Sequence, residues 1–188
     1  MSWKKYFTKF DAAVFFILLV LGVALGTIGT NKALSTVFHL NSFWPGVIVQ
    51  SVGCILFGRV GILAGVIFPI FSNLISEQHP INALFFTAGN ITQCYLFYFF
   101  SKKFKYRMVT LKRFFGFCLF EAILPLFFGS IAALLVQLAL GAIKTSQEAS
   151  TFVFGWNMDS TPLVIIFAPF LINTLSDTLR ELESLDEN

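Results

Sequence analysis

Six apolar segments, with the basic residues gathered on one side of them, constrain this chain more than any other feature. The segments lie at 12–28, 43–58, 61–75, 83–100, 114–143 and 152–173. If the N-terminus is cytoplasmic, eleven of the 13 lysines and arginines fall in inner segments, and only Lys32 and Lys144 fall outside. Short loops with such a bias orient a membrane protein by the positive-inside rule. The pattern predicts an all-α, polytopic integral membrane protein of about six transmembrane helices, with both termini cytoplasmic.

The composition supports the same class. Hydrophobic residues make up 56% of the chain and charged residues 12%, whereas a soluble domain carries about 25% charged residues. A helix needs about 20 apolar residues to cross a bilayer, so 188 residues hold six spans and little else. We expect one transmembrane domain over 1–174 and a short cytoplasmic helical tail over 175–188. The basic loop 101–113 is expected to rest on the lipid bilayer rather than on nucleic acid.

Three segments have less certain boundaries. Segments 43–58 and 61–75 are short and are separated only by Arg59 and Val60, which allows either a tight helical hairpin or one broken helix with a re-entrant portion. Segment 114–143 would be about 45 Å long at about 1.5 Å per residue, which exceeds the membrane thickness. We expect it to tilt, to bend at Pro125 or to project beyond the bilayer.

No catalytic or metal-binding constellation is present in the sequence. His39 and His79 fall in predicted outer loops, without a nucleophile placed to use them. Cys54, Cys94 and Cys118 lie inside apolar segments, have no paired spacing and have no nearby histidine. We interpret the cysteines as packing residues and predict neither enzymatic activity, nor a cofactor, nor a metal site.

Polar side chains at membrane depth indicate a candidate ligand site, because such groups need a partner, a ligand or water. Seven residues are predicted to line one outward-facing cavity: Trp44, Asn73, Asn90, Gln93, Trp156, Asn157 and Asp159. The alternative is that amides act as interhelical contacts, which we favour for Gln50, Ser51 and Gln137, and that the tryptophans are interfacial anchors. Glu121 is expected to pair with a lysine or arginine of the basic loop.

Two features predict contacts with a protein partner or a second copy. Gly22 and Gly26 lie on one face of the first helix, which suits either packing inside the chain or docking of a partner subunit. Leu175, Leu179 and Leu182 follow one another at intervals of four and three. That spacing is typical of the start of a coiled-coil seam, and its alternative is a short solvated helix end.

The order of several short motifs resembles the membrane-associated sensor domains of the first MASE class. The motifs are Phe43-Trp44-Pro45-Gly46, Gly61 and Gly65 with Ser72-Asn73, Ala88-Gly89-Asn90, the basic loop, and Gly155-Trp156-Asn157 with Asp159, Pro162 and Pro169. The resemblance spans 43–173. It implies a sensory input module of a bacterial or archaeal cytoplasmic membrane, working with a signalling output protein.

The layout is also similar to the substrate-binding S component of energy-coupling factor vitamin transporters. These are six-helix proteins of about this size, in which small residues of the first helix meet a coupling subunit. Gly22 and Gly26 stand here in place of that family's alanine pair. We favour a sensory module that recognises an unidentified small ligand, with the transport component as the alternative and a structural assembly factor as a third interpretation.

Overall fold

The computed structural model describes residues 8–30, 44–76, 80–102 and 111–186, with side chains given for all of these but 30, 80–84, 111 and 179–186. The regular elements in these ranges are all helices, which confirms the all-α prediction. They are α1 (Lys9–Thr30), α2 (Gly46–Phe57), α3 (Arg59–Ile75), α4 (Pro80–Ser101), α5 (Leu111–Phe117), a π-helical segment (Cys118–Ile123), α6 (Leu124–Ala139) and α7 (Ser146–Asp186).

Within the described ranges, three helical stretches are long and apolar enough to cross a membrane: Lys9–Gly29, Lys112–Ala139 and Ser146–Thr178. This is fewer than the six expected. The helices α2 and α3 are apolar but shorter, with 12 and 17 residues. Length and composition therefore support a helical membrane protein, and the number of spans above three stays a prediction.

The helices α2 and α3 form a tight hairpin rather than one broken helix. A single residue, Gly58, separates them and adopts a φ of 55°, a conformation that glycine reaches without steric cost. A Cβ atom on Gly61 would collide with the backbone carbonyl of Gly53. The two backbones are thus in direct contact, which requires the absence of a side chain at Gly61.

The interior is built around contacts between helices that are distant in sequence. The helix α3 packs against α1, α2 and α4, while α4 packs against α6, and α7 packs against α2 and α6. The main core includes Val47, Phe97, Leu126 and Val164, all fully buried. A smaller apolar cluster around Val14, Leu18, Val60 and Ala64 joins α1 to α3.

The long segment from Leu111 to Ala139 is continuous but changes its winding in the middle. Residues Cys118–Ile123 are π-helical, and the amide of Leu124 bonds to the carbonyl of Leu119, five residues back. Pro125 follows at once and has no N–H to donate to the carbonyl of Glu121. The predicted irregularity at Pro125 is therefore present, as a wider turn just before the proline.

Side-chain caps define the turn between α6 and α7. Gly141, at a φ of 71°, ends α6, and the amide of Ala142 donates to the carbonyl of Gln137 at 2.9 Å. Thr145 and Glu148 then form a reciprocal capping box: the Glu148 amide donates to Thr145 Oγ1 at 3.1 Å, and Glu148 Oε2 accepts from the Thr145 amide at 3.2 Å. Local sequence thus sets both ends of this connection.

Candidate functional site

Four polar side chains from α2, α4 and α7 form one hydrogen-bonded cluster in the core, here called the amide network (Gln50, Asn90, Gln93 and Trp156). Gln50 Nε2 donates to Asn90 Oδ1 at 3.2 Å. Gln93 Nε2 donates to Gln50 Oε1 and, at 3.3 Å, to Asn90 Oδ1. Trp156 Nε1 donates to Gln93 Oε1 at 3.3 Å. The three amide side chains are at most 3% exposed, so their contacts are made away from solvent.

Gln50 also donates a hydrogen bond to a backbone carbonyl of α3 that has no donor within its own helix. Pro69 lies inside that helix and has no N–H, so the carbonyl of Gly65, four residues earlier, loses its helical donor. Gln50 Nε2 donates to this carbonyl at 2.6 Å. Gly65 has no side chain, and a Cβ atom there would come within 2.8 Å of the Cys94 sulfur of α4, so this glycine allows α4 to pack closely beside the bond. The amide network is therefore hydrogen-bonded both within itself and to the carbonyl that Pro69 leaves without a helical donor.

The structure brings together only part of the cavity predicted from the sequence. Asn90, Gln93 and Trp156 meet in the amide network. Trp44 instead stacks on Phe68, with ring centroids 5.9 Å apart. Asn73 is buried on α3, and no described hydrogen bond joins it to the network.

The two remaining predicted residues lie on α7. Asn157 Nδ2 turns toward α6, donating to Ser130 Oγ at 3.1 Å and to its own helix at Val153. Asp159 is partly buried and makes an interaction of its own. The seven residues do not form one continuous hydrogen-bonded lining, because neighbouring positions on α7 face different helices.

The glycine pair of α1 packs inside the chain. A Cβ atom on Gly22 would collide with the ring of Phe68, and one on Gly26 would collide with the hydroxyl of Ser72. This geometry supports the intramolecular interpretation of the pair over docking of a partner. At the other end of the chain, Leu175 is 38% exposed on α7, while the side chains of Leu179 and Leu182 lie outside the described residues.

The structure does not bear out the interhelical interpretation for Ser51 and Gln137. Ser51 bonds to the carbonyl of Ile48 within its own helix, so it makes no interhelical contact through this bond. The Nε2 atom of Gln137 is buried without a hydrogen-bond partner among the described residues. The interhelical interpretation therefore holds for Gln50 and not for these two.

Glu121 makes no ion pair with the described basic residues at the ends of the basic loop. Both of its carboxyl oxygens are buried, and neither has a hydrogen-bond partner in the described part of the chain. Residues 103–110 of the basic loop lie outside the described residues, so the expected pairing with that part of the loop stays a prediction. Cys54 and Cys94 are free and buried, as expected for packing residues.

An open cleft of about 630 Å³ lies at the turn between α6 and α7. Here called the α6–α7 cleft, it is lined by Gln137, Ile143, Thr145, Gln147, Glu148, Thr151 and Phe152. None of the seven predicted cavity residues lines it. The cleft was not predicted from the sequence; the Thr145-x-x-Glu148 capping signal and the nearby Gly141 are the sequence features that could have indicated the turn. Among the described residues, no group of three metal-ligating side chains is placed to hold a metal ion.

Aromatic rings connect the cleft to the amide network. Phe152 lies in the cleft wall and meets Trp156 edge to face, with centroids 5.7 Å apart. Phe86 of α4 contacts both rings, at 6.3 Å from Phe152 and 5.8 Å from Trp156. Trp156 in turn donates to Gln93. A molecule that displaced Phe152 would therefore press on a ring whose indole nitrogen is part of the buried network.

Comparison of this chain with protein-family models, with curated proteins and with solved structures gives no match. The class that the fold supports is thus a helical membrane protein with a buried amide network beneath an open cleft.

Proposed function

We propose that this protein is a sensory input module of a bacterial or archaeal cytoplasmic membrane, which recognises a small polar ligand in the α6–α7 cleft and passes the change inward along α7. The observation that carries the proposal is the continuity of α7, a single helix of 41 residues. At about 1.5 Å per residue it is about 60 Å long, roughly twice the hydrocarbon core of a bilayer.

One continuous helix, which contains Pro162 and Pro169, therefore takes part in every region that the proposal needs. Gln147, Glu148, Thr151 and Phe152, in the first two turns of α7, line the cleft. Trp156, one turn later, joins the amide network. The same helix continues without interruption to Asp186. A shift or rotation at the cleft would move the far end of the helix, which is the kind of transition used in switching proteins.

The proposal includes six spans, with both termini and the basic loop inside and the cleft outside. It rests on the eleven-to-two distribution of Lys and Arg. Single cysteines introduced at Ser76 and Lys144, in a background in which the three native cysteines are replaced, should react with an impermeant thiol reagent added to intact cells. A cysteine at Lys103 should react only after the membrane is opened. Reaction of position 103 from outside would refute the six-span arrangement.

Ligand recognition can be tested by thermal-shift screening of small metabolites against the purified protein. A ligand of the cleft should raise the melting temperature of the parent and not of Phe152→Ala. The matched control is Phe154→Ala, because Phe154 lies half a turn away on α7 and is 66% exposed. A ligand that stabilises both variants equally would place its site elsewhere.

The sensory module and the transport component predict opposite effects of removing the C-terminal tail. Removing the residues after Thr178 should abolish signalling while ligand binding persists if α7 carries the signal. An S component would tolerate this removal and would depend instead on a face of α1 that meets its coupling subunit. Because Gly22 and Gly26 pack internally, that face is better tested at Phe16 and Val20, which are 61% and 65% exposed. Uptake that survives tail removal and is lost on changes at Phe16 and Val20 would favour the transport alternative.

A further inference from the structure

Glu121 is a carboxyl group that neither the amide network nor the cleft uses. It is 1% exposed, and both of its oxygens lack hydrogen-bond partners among the described residues. It lies inside the stretch Lys112–Ala139, which is long and apolar enough to cross a membrane. Unpartnered buried polar groups are rare in folded proteins, and ionisable groups inside a membrane are costly enough to indicate a function.

The backbone around Glu121 is also irregular. Glu121 belongs to the π-helical segment Cys118–Ile123 and is followed four residues later by Pro125. Both Glu121 and its neighbour Ala122 are buried, while Leu119 and Ile123 are exposed. Single π-helical turns inside α-helices are found frequently at functional sites. The buried carboxyl thus lies within a stretch of irregular helical winding.

Among the described residues, which leave out 103–110 of the basic loop, none places a positive charge beside Glu121. The π-helical segment packs against α4 and α7 as well as its own flanking helices. Cys54 of α2 lies within electrostatic range of Glu121 and in hydrogen-bonding reach of Cys94 of α4. Asp159 is the one partly buried charged side chain described on the packed helices and at their ends. The other charged side chains described there are exposed: Lys102, Lys112, Arg113, Lys144, Glu148 and Asp177.

An ionised carboxylate in such a place would have neither a counter-ion nor a hydrogen-bond donor. The cost of burying it unpaired is far greater than the cost of keeping the neutral acid. We infer that Glu121 is a proton-binding site in the membrane interior, whose carboxyl holds a proton while it is buried in the helix bundle. This inference does not depend on the ligand cleft.

Two carbodiimides of different polarity test the proton on Glu121. The apolar reagent dicyclohexylcarbodiimide enters membranes and reacts with protonated carboxyl groups, adding one reagent molecule to the acid. The full-length protein in lipid vesicles at neutral pH should form this adduct on the peptide that contains Glu121, and Glu121→Gln should lose it. Glu148 is the matched control, since it is exposed and accepts hydrogen bonds from the Lys144 and Thr145 amides. It should react with a water-soluble carbodiimide instead.

Infrared spectroscopy gives a second measurement on the unmodified protein. A protonated carboxyl has a carbonyl band separate from the amide and carboxylate bands, which shifts when exchangeable protons are replaced by deuterium. We expect this band at neutral pH in the parent and its loss in Glu121→Gln. Absence of the band in the parent would overturn the inference. So would reaction of Glu121 with the water-soluble reagent as fast as Glu148, or no reaction with dicyclohexylcarbodiimide.

Discussion

The bond between Gln50 and the Gly65 carbonyl predicts that the effects of mutating Gln50 and Pro69 depend on each other. Replacing Gln50 with Leu keeps a similar volume but removes three hydrogen bonds, to Gly65, Asn90 and Gln93. Interhelical hydrogen bonds in membranes contribute about 0.6 kcal/mol each on average. We therefore expect Gln50→Leu to lower the free energy of unfolding by about 2 kcal/mol.

Part of that loss should depend on Pro69. In Pro69→Ala the new N–H can donate to the Gly65 carbonyl, so this carbonyl no longer relies on Gln50. Leaving a buried carbonyl unsatisfied costs about 1 to 3 kcal/mol. Gln50→Leu should consequently be less destabilising in the Pro69→Ala background, by about 1 kcal/mol, whatever the separate cost of losing the proline ring.

The measurement is a double-mutant cycle, with unfolding in mixed micelles followed by far-ultraviolet circular dichroism as the denaturing detergent is increased. Pro169→Ala is the matched control. Pro169 also lies inside a helix and leaves the carbonyl of Ile165 without its helical donor, but no described hydrogen bond joins Gln50 to that carbonyl. The pair with Pro169 should be additive within about 0.5 kcal/mol. If the losses in the free energy of unfolding for Gln50→Leu and Pro69→Ala are additive to the same extent, Gln50 does not replace the helical donor to the Gly65 carbonyl.

Two further predictions concern packing and the aromatic link. Gly22→Ala should destabilise the protein by about 1 to 3 kcal/mol because its Cβ would collide with the ring of Phe68. Gly155 lies inside α7 and faces open space, so Gly155→Ala should be slightly stabilising, by about 0.5 to 1 kcal/mol, in the same thermal melt. Equal effects of the two changes would contradict the close packing. Trp156→Phe removes the donor to Gln93 and should lower the free energy of unfolding by about 1 kcal/mol. Trp156→Ala also removes the ring and should lower it by about 3 to 5 kcal/mol. Equal losses for the two variants in detergent unfolding would show that the ring contacts contribute little.

Helix positions could largely be predicted from local patterns in the sequence. Runs of apolar residues located α1, α4 and α7, and the change in winding falls where Pro125 had suggested a bend. Helix starts were also encoded locally: Thr8 and Asp11 form a capping box before α1, with the Thr8 amide donating to Asp11 Oδ2 at 2.8 Å. These features depend on residues within one or two turns of each other, so they do not require the tertiary structure.

The partners of buried polar groups were not encoded in the same way. Gln50 meets Gly65, 15 residues away, and Asn90, 40 residues away. The pairing depends on how closely α2, α3 and α4 approach. Asn157 and Trp156 are adjacent in sequence but bond to different helices, so shared depth in the membrane did not make them one site.

The sequence alone therefore determined the class of protein, the positions of most helices and the charge bias behind the proposed orientation, since hydrophobicity and local capping act over short ranges. Only the tertiary structure decided that Gln50 completes the hydrogen bonding of a proline-containing helix, that Gly22 packs on Phe68 and that Glu121 is buried with no hydrogen-bond partner among the described residues. The physical reason is that a buried polar group is stabilised or left unsatisfied by the atoms around it in space, and helix packing brings those atoms from distant parts of the chain.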